Sequence, residues 1–209
     1  MRAVVVEIQK APRSSETPRE KPSVFVLIGP EGSGKTTEAT LLAEKLNLPL
    51  IVVGDLLRDR AENDPGEIGQ ACRDMFAAHA YLDPSLVRKI VAERLSKEDT
   101  LSGFVLDGGD RTVEETEHFP ETLKLADRSD LTVKIISLRL AGWKSMERLS
   151  TRQREDDSVE GSLSRLSRFY YHLGERATFM KKNWNFIQVD AGRSIDEVHA
   201  DILSKINSQ

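Results

Sequence analysis

Residues 29–37 read GPEGSGKTT, and positions 29–36 satisfy the spacing GxxxxGK[ST]. Glycines at this spacing let successive backbone N–H groups converge on one point, and a helix starting there adds the positive end of its dipole. The loop follows the apolar run VFVLI and precedes the helical pattern TEATLLAEKL, the context such a phosphate cradle needs. Gly29, Glu31, Gly32, Ser33 and Gly34 form the cradle, Lys35 can reach the β- and γ-phosphates of a nucleoside triphosphate, the Thr36 hydroxyl can ligate Mg²⁺, and Thr37 is a further contact. A loop of this kind says that a nucleotide binds. ATPases, GTPases and small-molecule kinases share it, so a second site must decide among them.

Three later stretches supply one: GDLLRDRAENDPGEIGQ, AAHAYLDPSLVRKIVAERL and GFVLDGGDRTVEE, followed by ERLSTRQREDDSVEGSLSRL. Together with the loop, and in this order, they resemble the adenylate kinase family of nucleoside monophosphate kinases from residue 24 to the C-terminus. The resemblance implies an acceptor phosphate held by Arg58 of GDLLR and by Arg111, beside Gly108, of DGGDR. Arg58 also reads as a plain solvated helix arginine. Gly103 would leave room beside the acceptor base, and Asp107 would hold Mg²⁺ through water or, alternatively, cap a loop. Ala80, Tyr81 and Leu82 would meet the base mainly through their backbone. Arg152, Arg154 and Arg165 take the places of the arginines that converge on the phosphoryl group in transfer, with Asp156 and Asp157 orienting the first two. Ala191, Gly192 and Arg193 stand where the family lays the donor adenine, and equally read as a strand-to-helix turn.

Several positions depart from the family pattern. One residue, Gln153, separates Arg152 from Arg154, so the lid over about 152–157 is minimal and water exclusion must come from elsewhere, with ATP hydrolysis expected as a side reaction. DGxPR has become DGGDR, which puts the Asp110 carboxylate beside Arg111. Val53 replaces a threonine whose hydroxyl meets the acceptor nucleotide, and His79 stands at a usual glycine. Glu115 falls where adenylate kinases carry a glutamine that donates to and accepts from adenine; an ionised carboxylate can only accept.

These residues need a scaffold. Short apolar runs at 24–28, 50–53, 104–106, 133–138 and 186–189 alternate with helical patterning at 35–46, 67–78, 84–95, 113–125, 143–149, 163–181 and 195–206. That rhythm predicts an α/β fold: a five-stranded parallel sheet flanked by helices in three layers, with ligands at the carboxyl ends of the strands. Residues 1–23 read as an extension or linker, 24–209 as a nucleoside monophosphate kinase domain with an acceptor-binding insertion at about 53–82. Trp143, Trp184, Phe169, Tyr170 and Tyr171 lie in apolar patterning and are expected to pack rather than to stack on bases.

With 30 basic and 34 acidic residues well mixed and a net charge of −4, the chain lacks the one-signed field of a nucleic-acid binder. One cysteine, Cys72, excludes an internal disulfide and a cysteine-rich structural zinc site, which suits a reducing cytoplasm. No apolar stretch is long enough to span a membrane. The expectation is a cytoplasmic monomer whose partners are small nucleotides. It would transfer the γ-phosphoryl group of Mg-ATP to a nucleoside monophosphate, AMP first. CMP, UMP or GMP as acceptor, a weakly catalytic nucleotide-binding module, and a hydrolytic P-loop switch are the alternatives. The last would carry a base-reading NKxD motif if it were a GTPase, and none is present.

Overall fold

A computed structural model describes residues 22–78, 80–109, 111–151 and 159–208. Five strands, β1 (Ser23–Ile28), β2 (Leu50–Val52), β3 (Gly103–Asp107), β4 (Thr132–Arg139) and β5 (Asn185–Asp190), form one sheet in the order β2-β3-β1-β4-β5, every neighbouring pair parallel. A central parallel strand is covered on both faces, which is why β1 is apolar without interruption. Its side chains alternate between two cores. Val24, Val26 and Ile28 join Phe104, Leu106, Ile135 and Met180 on one face, while Phe25 and Leu27 join Val105, Ile136, Leu138 and Ile187 on the other.

Helices α1 (Lys35–Leu46) and α9 (Ile195–Asn207) cover the second face through Ala39, Leu42, Val198 and Ile202. The first face takes α4 (Pro84–Leu95), α6 (Phe119–Leu125) and α8 (Val159–Asn183), while α2 (Val53–Asn63) and α3 (Glu67–Ala77) pack on each other at the end of β2. The short α5 (Val113–Glu117) and α7 (Gly142–Ser150) follow the carboxyl ends of β3 and β4. Among the described residues, no helix is long and apolar enough to cross a membrane.

Two sequence expectations need correction. Val53 does not end a strand but begins α2, a helix the apolar run at 50–53 concealed. The helix expected over 113–125 is two, because Pro120 cannot donate a backbone hydrogen bond and so sits in the first turn of a new helix starting at Phe119.

Candidate functional site

The phosphate loop leaves β1 and enters α1 through Gly34, whose φ of +86° lies in the left-handed region and whose missing Cβ would meet nothing within 4 Å. Lys35 folds back over this loop, donating from Nζ to the carbonyls of Gly29 at 2.8 Å and Pro30 at 2.9 Å. Burial pulls the Lys35 pKa below the ordinary lysine value; Glu31 and Asp107 oppose that, while Arg111 and Arg176 add to it. An anionic phosphate at the loop would favour the charged ammonium.

Parallel pairing sets the next element. Leu27 lies opposite Asp107 in the β1–β3 register and Val52 opposite Asp107 in the β2–β3 register, so the Asp107 carboxylate stands at the sheet's carboxyl edge between two strands. Asp107 is buried, and its Oδ2 accepts from Thr36 Oγ1 at 2.6 Å. A hydroxyl and a carboxylate in contact offer hard oxygen donors of the kind Mg²⁺ uses when water and substrate phosphates complete its shell. Among the described residues, no group of three or more His, Cys, Asp or Glu could hold a metal by itself.

Across the cleft, two guanidinium groups approach Gly54 in the first turn of α2. A Cβ built there would lie 3.5 Å from Arg58 Nη2 and 3.8 Å from Arg111 Nη2, so both cations converge on one point. Arg58 also donates to Asp55 one turn earlier on the helix. Arg111 is held at Nε by the Gly108 carbonyl, 2.9 Å away. Together these residues border a cavity of about 670 Å³ that runs from Gly32, Gly34, Thr36 and Thr37 to Asp107, Gly108, Arg111, Arg165 and the Ala80–Tyr81 segment, with Glu31 and Lys35 between. Its apolar wall is Leu57, Met75 and Phe76, from the helices that the sequence places in the acceptor insertion.

Other expected site residues lie elsewhere. Val53 is buried in the core, 1% exposed, and does not border the cleft; Leu82, expected to meet the base through its backbone, has its side chain in the core, 6% exposed. Gly103 is at the amino end of β3, the wrong end of the sheet; at φ +113° its Cβ would fall 2.2 Å from the Ser23 carbonyl, so its bareness serves strand packing and not a base. Glu115 caps α5: its carboxylate accepts from the Arg111 backbone N–H at 3.0 Å and from the Thr112 hydroxyl at 3.4 Å, and it borders a separate recess of about 20 Å³ with Leu106 and Phe119. Burial pushes its pKa up. Arg193 is turned to Asp201, at 2.5 Å, and to the Asp190 carbonyl. Ser33 is buried, and Gly29 borders a smaller cavity of about 50 Å³ beside the cleft. Arg152, Arg154, His79, Asp110 and the expected lid at 152–157 fall outside the described residues.

Sequence reasoning missed Arg148. From α7 it reaches the phosphate loop at Gly32 O, 3.2 Å, and the β5–α9 turn at Ala191 O, 3.0 Å, and it borders the cleft. The signal available was proximity in the chain: Arg148 lies in the same run, ERLSTRQR, as the arginines expected at the transferring group.

The adenylate kinase family model matches residues 27–193. An adenylate kinase of Mycobacterium sp. strain MCS is 35% identical over 183 residues, covering 87% of this chain and 98% of the relative. The adenylate kinase of Mycolicibacterium vanbaalenii is 34% identical over the same shares, and that of Tropheryma whipplei strain Twist is 31% identical over 85% of this chain and 94% of the relative.

Proposed function

The chain belongs to the adenylate kinase family and is a phosphotransferase of the nucleoside monophosphate kinase type, and on that premise we propose that it transfers the γ-phosphoryl group of Mg-ATP to AMP, yielding two ADP. The observation that carries the assignment of sides is the convergence of Arg58 and Arg111 on Gly54, across one continuous cleft from Lys35 and the Thr36–Asp107 pair. An acceptor phosphate between two guanidinium groups, facing a donor phosphate on the loop, is the arrangement direct transfer requires. AMP is favoured as acceptor because each of the relatives above is named an adenylate kinase.

In the reaction, a phosphate oxygen of AMP bonds to the γ-phosphorus while the bond from that phosphorus to the β,γ-bridging oxygen breaks. ADP leaves with no covalent enzyme intermediate. Lys35 binds the donor's β- and γ-phosphates, Arg58 and Arg111 orient the acceptor, and Arg165, with Arg152 and Arg154, neutralises the equatorial oxygens of the group in flight. Mg²⁺, held by the Thr36 hydroxyl and through water by Asp107, would supply charge neutralisation at the donor phosphates. Helices α2 and α3 act as the acceptor-binding insertion. A coupled assay of ATP with AMP, CMP, UMP and GMP tests this reading. AMP should turn over fastest, and faster turnover of another base would end the AMP assignment.

A further inference from the structure

Tyr81 stands where the acceptor side of the cleft meets α8. It borders both the 670 Å³ cleft and the 50 Å³ cavity beside it. Two guanidinium groups lie over its ring: Arg111, with Cζ 5.8 Å from the centroid, and Arg168, with Cζ at 5.3 Å. A guanidinium within about 6 Å of an aromatic face is attracted by the ring's π electrons.

The position of that ring matters for Arg111. Its hydrogen bond from Nε to Gly108 fixes one point of the side chain, about which the planar fork can still swing. A ring against the fork restrains its plane, and the plane decides whether two N–H groups meet a phosphate in parallel. Arg168 follows Arg165 by three residues, so both lie on one side of α8, and Arg168 ties that helix to the ring. At the other end, the Ala80 N–H donates to Met75 O at 3.0 Å, anchoring the residue before Tyr81 to α3. The phenol's pKa agrees with this seat among charges: burial pushes it up, Arg111 opposes, Glu31 reinforces, and Arg176 and Arg168 oppose further.

We propose that the Tyr81 ring, tied to α8 by Arg168, is a positioning residue that sets the plane of Arg111 for the acceptor phosphate. The role belongs to the ring, because attraction to its π electrons needs no hydroxyl. It rests on the phosphotransferase reading above, in which Arg111 holds the acceptor.

The test is steady-state kinetics of Tyr81→Leu, Tyr81→Phe, Arg168→Ala and Arg168→Lys, each nucleotide varied at saturation of the other. The acceptor used is whichever monophosphate the wild type turns over best, so a failed AMP assignment and a failed role for Tyr81 are seen separately. Tyr81→Leu should raise the acceptor KM about 5- to 30-fold, the range of a partly desolvated cation–π contact, and leave the ATP KM unchanged. Tyr81→Phe should match the wild type. Arg168→Ala should raise the acceptor KM by a smaller factor, Arg168→Lys, which keeps a cation but not the planar guanidinium, should restore it in part, and the Tyr81→Leu/Arg168→Ala double variant should be no worse than Tyr81→Leu alone. The proposal is overturned if Tyr81→Leu shifts both KM values alike or neither, or if Tyr81→Phe loses as much as Tyr81→Leu. Should Tyr81→Leu not fold, the Arg168 pair decides: an acceptor KM indifferent to Arg168→Ala overturns it.

Discussion

Thr36 donates its hydroxyl to Asp107 across 2.6 Å, joining the first turn of α1 to the carboxyl end of β3. Both oxygens belong to the proposed Mg²⁺ site, so each should matter to metal use before it matters to folding. Asp107→Asn should lower kcat by roughly a hundredfold or more and raise the Mg²⁺ concentration needed for half-maximal rate. Titrating Mg²⁺ against initial rate checks both, and an unaltered Mg²⁺ dependence would remove Asp107 from the site.

Arg148 bridges the phosphate loop and the β5–α9 turn through two carbonyls. Losing hydrogen bonds from a charged donor of this kind is worth about 1.5 kcal/mol or more, so Arg148→Ala should raise the ATP KM by about tenfold or more. The AMP KM should stay near the wild-type value. An effect on AMP larger than on ATP would place Arg148 on the acceptor side instead.

Gly103 is a structural glycine on the geometry, contrary to the sequence expectation of a base contact. Gly103→Ala forces a Cβ onto the Ser23 carbonyl at a φ that disfavours side chains. It should cost about 2–4 kcal/mol in urea denaturation. The molecules that remain folded should keep wild-type KM values for both nucleotides, and a selective rise in the acceptor KM would restore the base contact.

Glu115 provides a pH prediction. Burial raises its folded pKa above the unfolded value, so the stability linked to its protonation is present below about pH 4.5 and lost as pH rises through the folded pKa. Glu115→Gln keeps an acceptor for the Arg111 N–H, and its amide can donate to Thr112 Oγ1, without a charge to bury. The variant's Tm minus that of the wild type should therefore increase between pH 4.5 and pH 8. A difference that falls with pH would show that the ionised carboxylate is the favoured form.

How far the sequence led depended on whether local chemistry fixed a residue's place. Gly34, Lys35 and Thr36 are placed by backbone geometry within a few residues, so their spacing alone located them. The apolar continuity of β1 and β3 follows from burial on both faces and announced the parallel sheet. Glu115 and Gly103 misled for the opposite reason: one is diverted by a cap three residues back, the other by a neighbouring strand eighty residues away in sequence. The partnership of Tyr81 with Arg168 joins α3's end to α8 and leaves no periodic trace. Helix α2 was hidden because Val53 continues the apolar run of β2 while already turning into a helix.

The central claim is direct transfer between a donor on the phosphate loop and an acceptor gripped by Arg58 and Arg111. Its most direct measurement is ADP formation from ATP and AMP by the wild type, Lys35→Ala and Arg111→Ala, with ATP binding measured in parallel. Both variants should lose about a thousandfold or more in kcat/KM for AMP, and Arg111→Ala should still bind ATP as the wild type does. Undiminished ADP formation in both variants would contradict the claim.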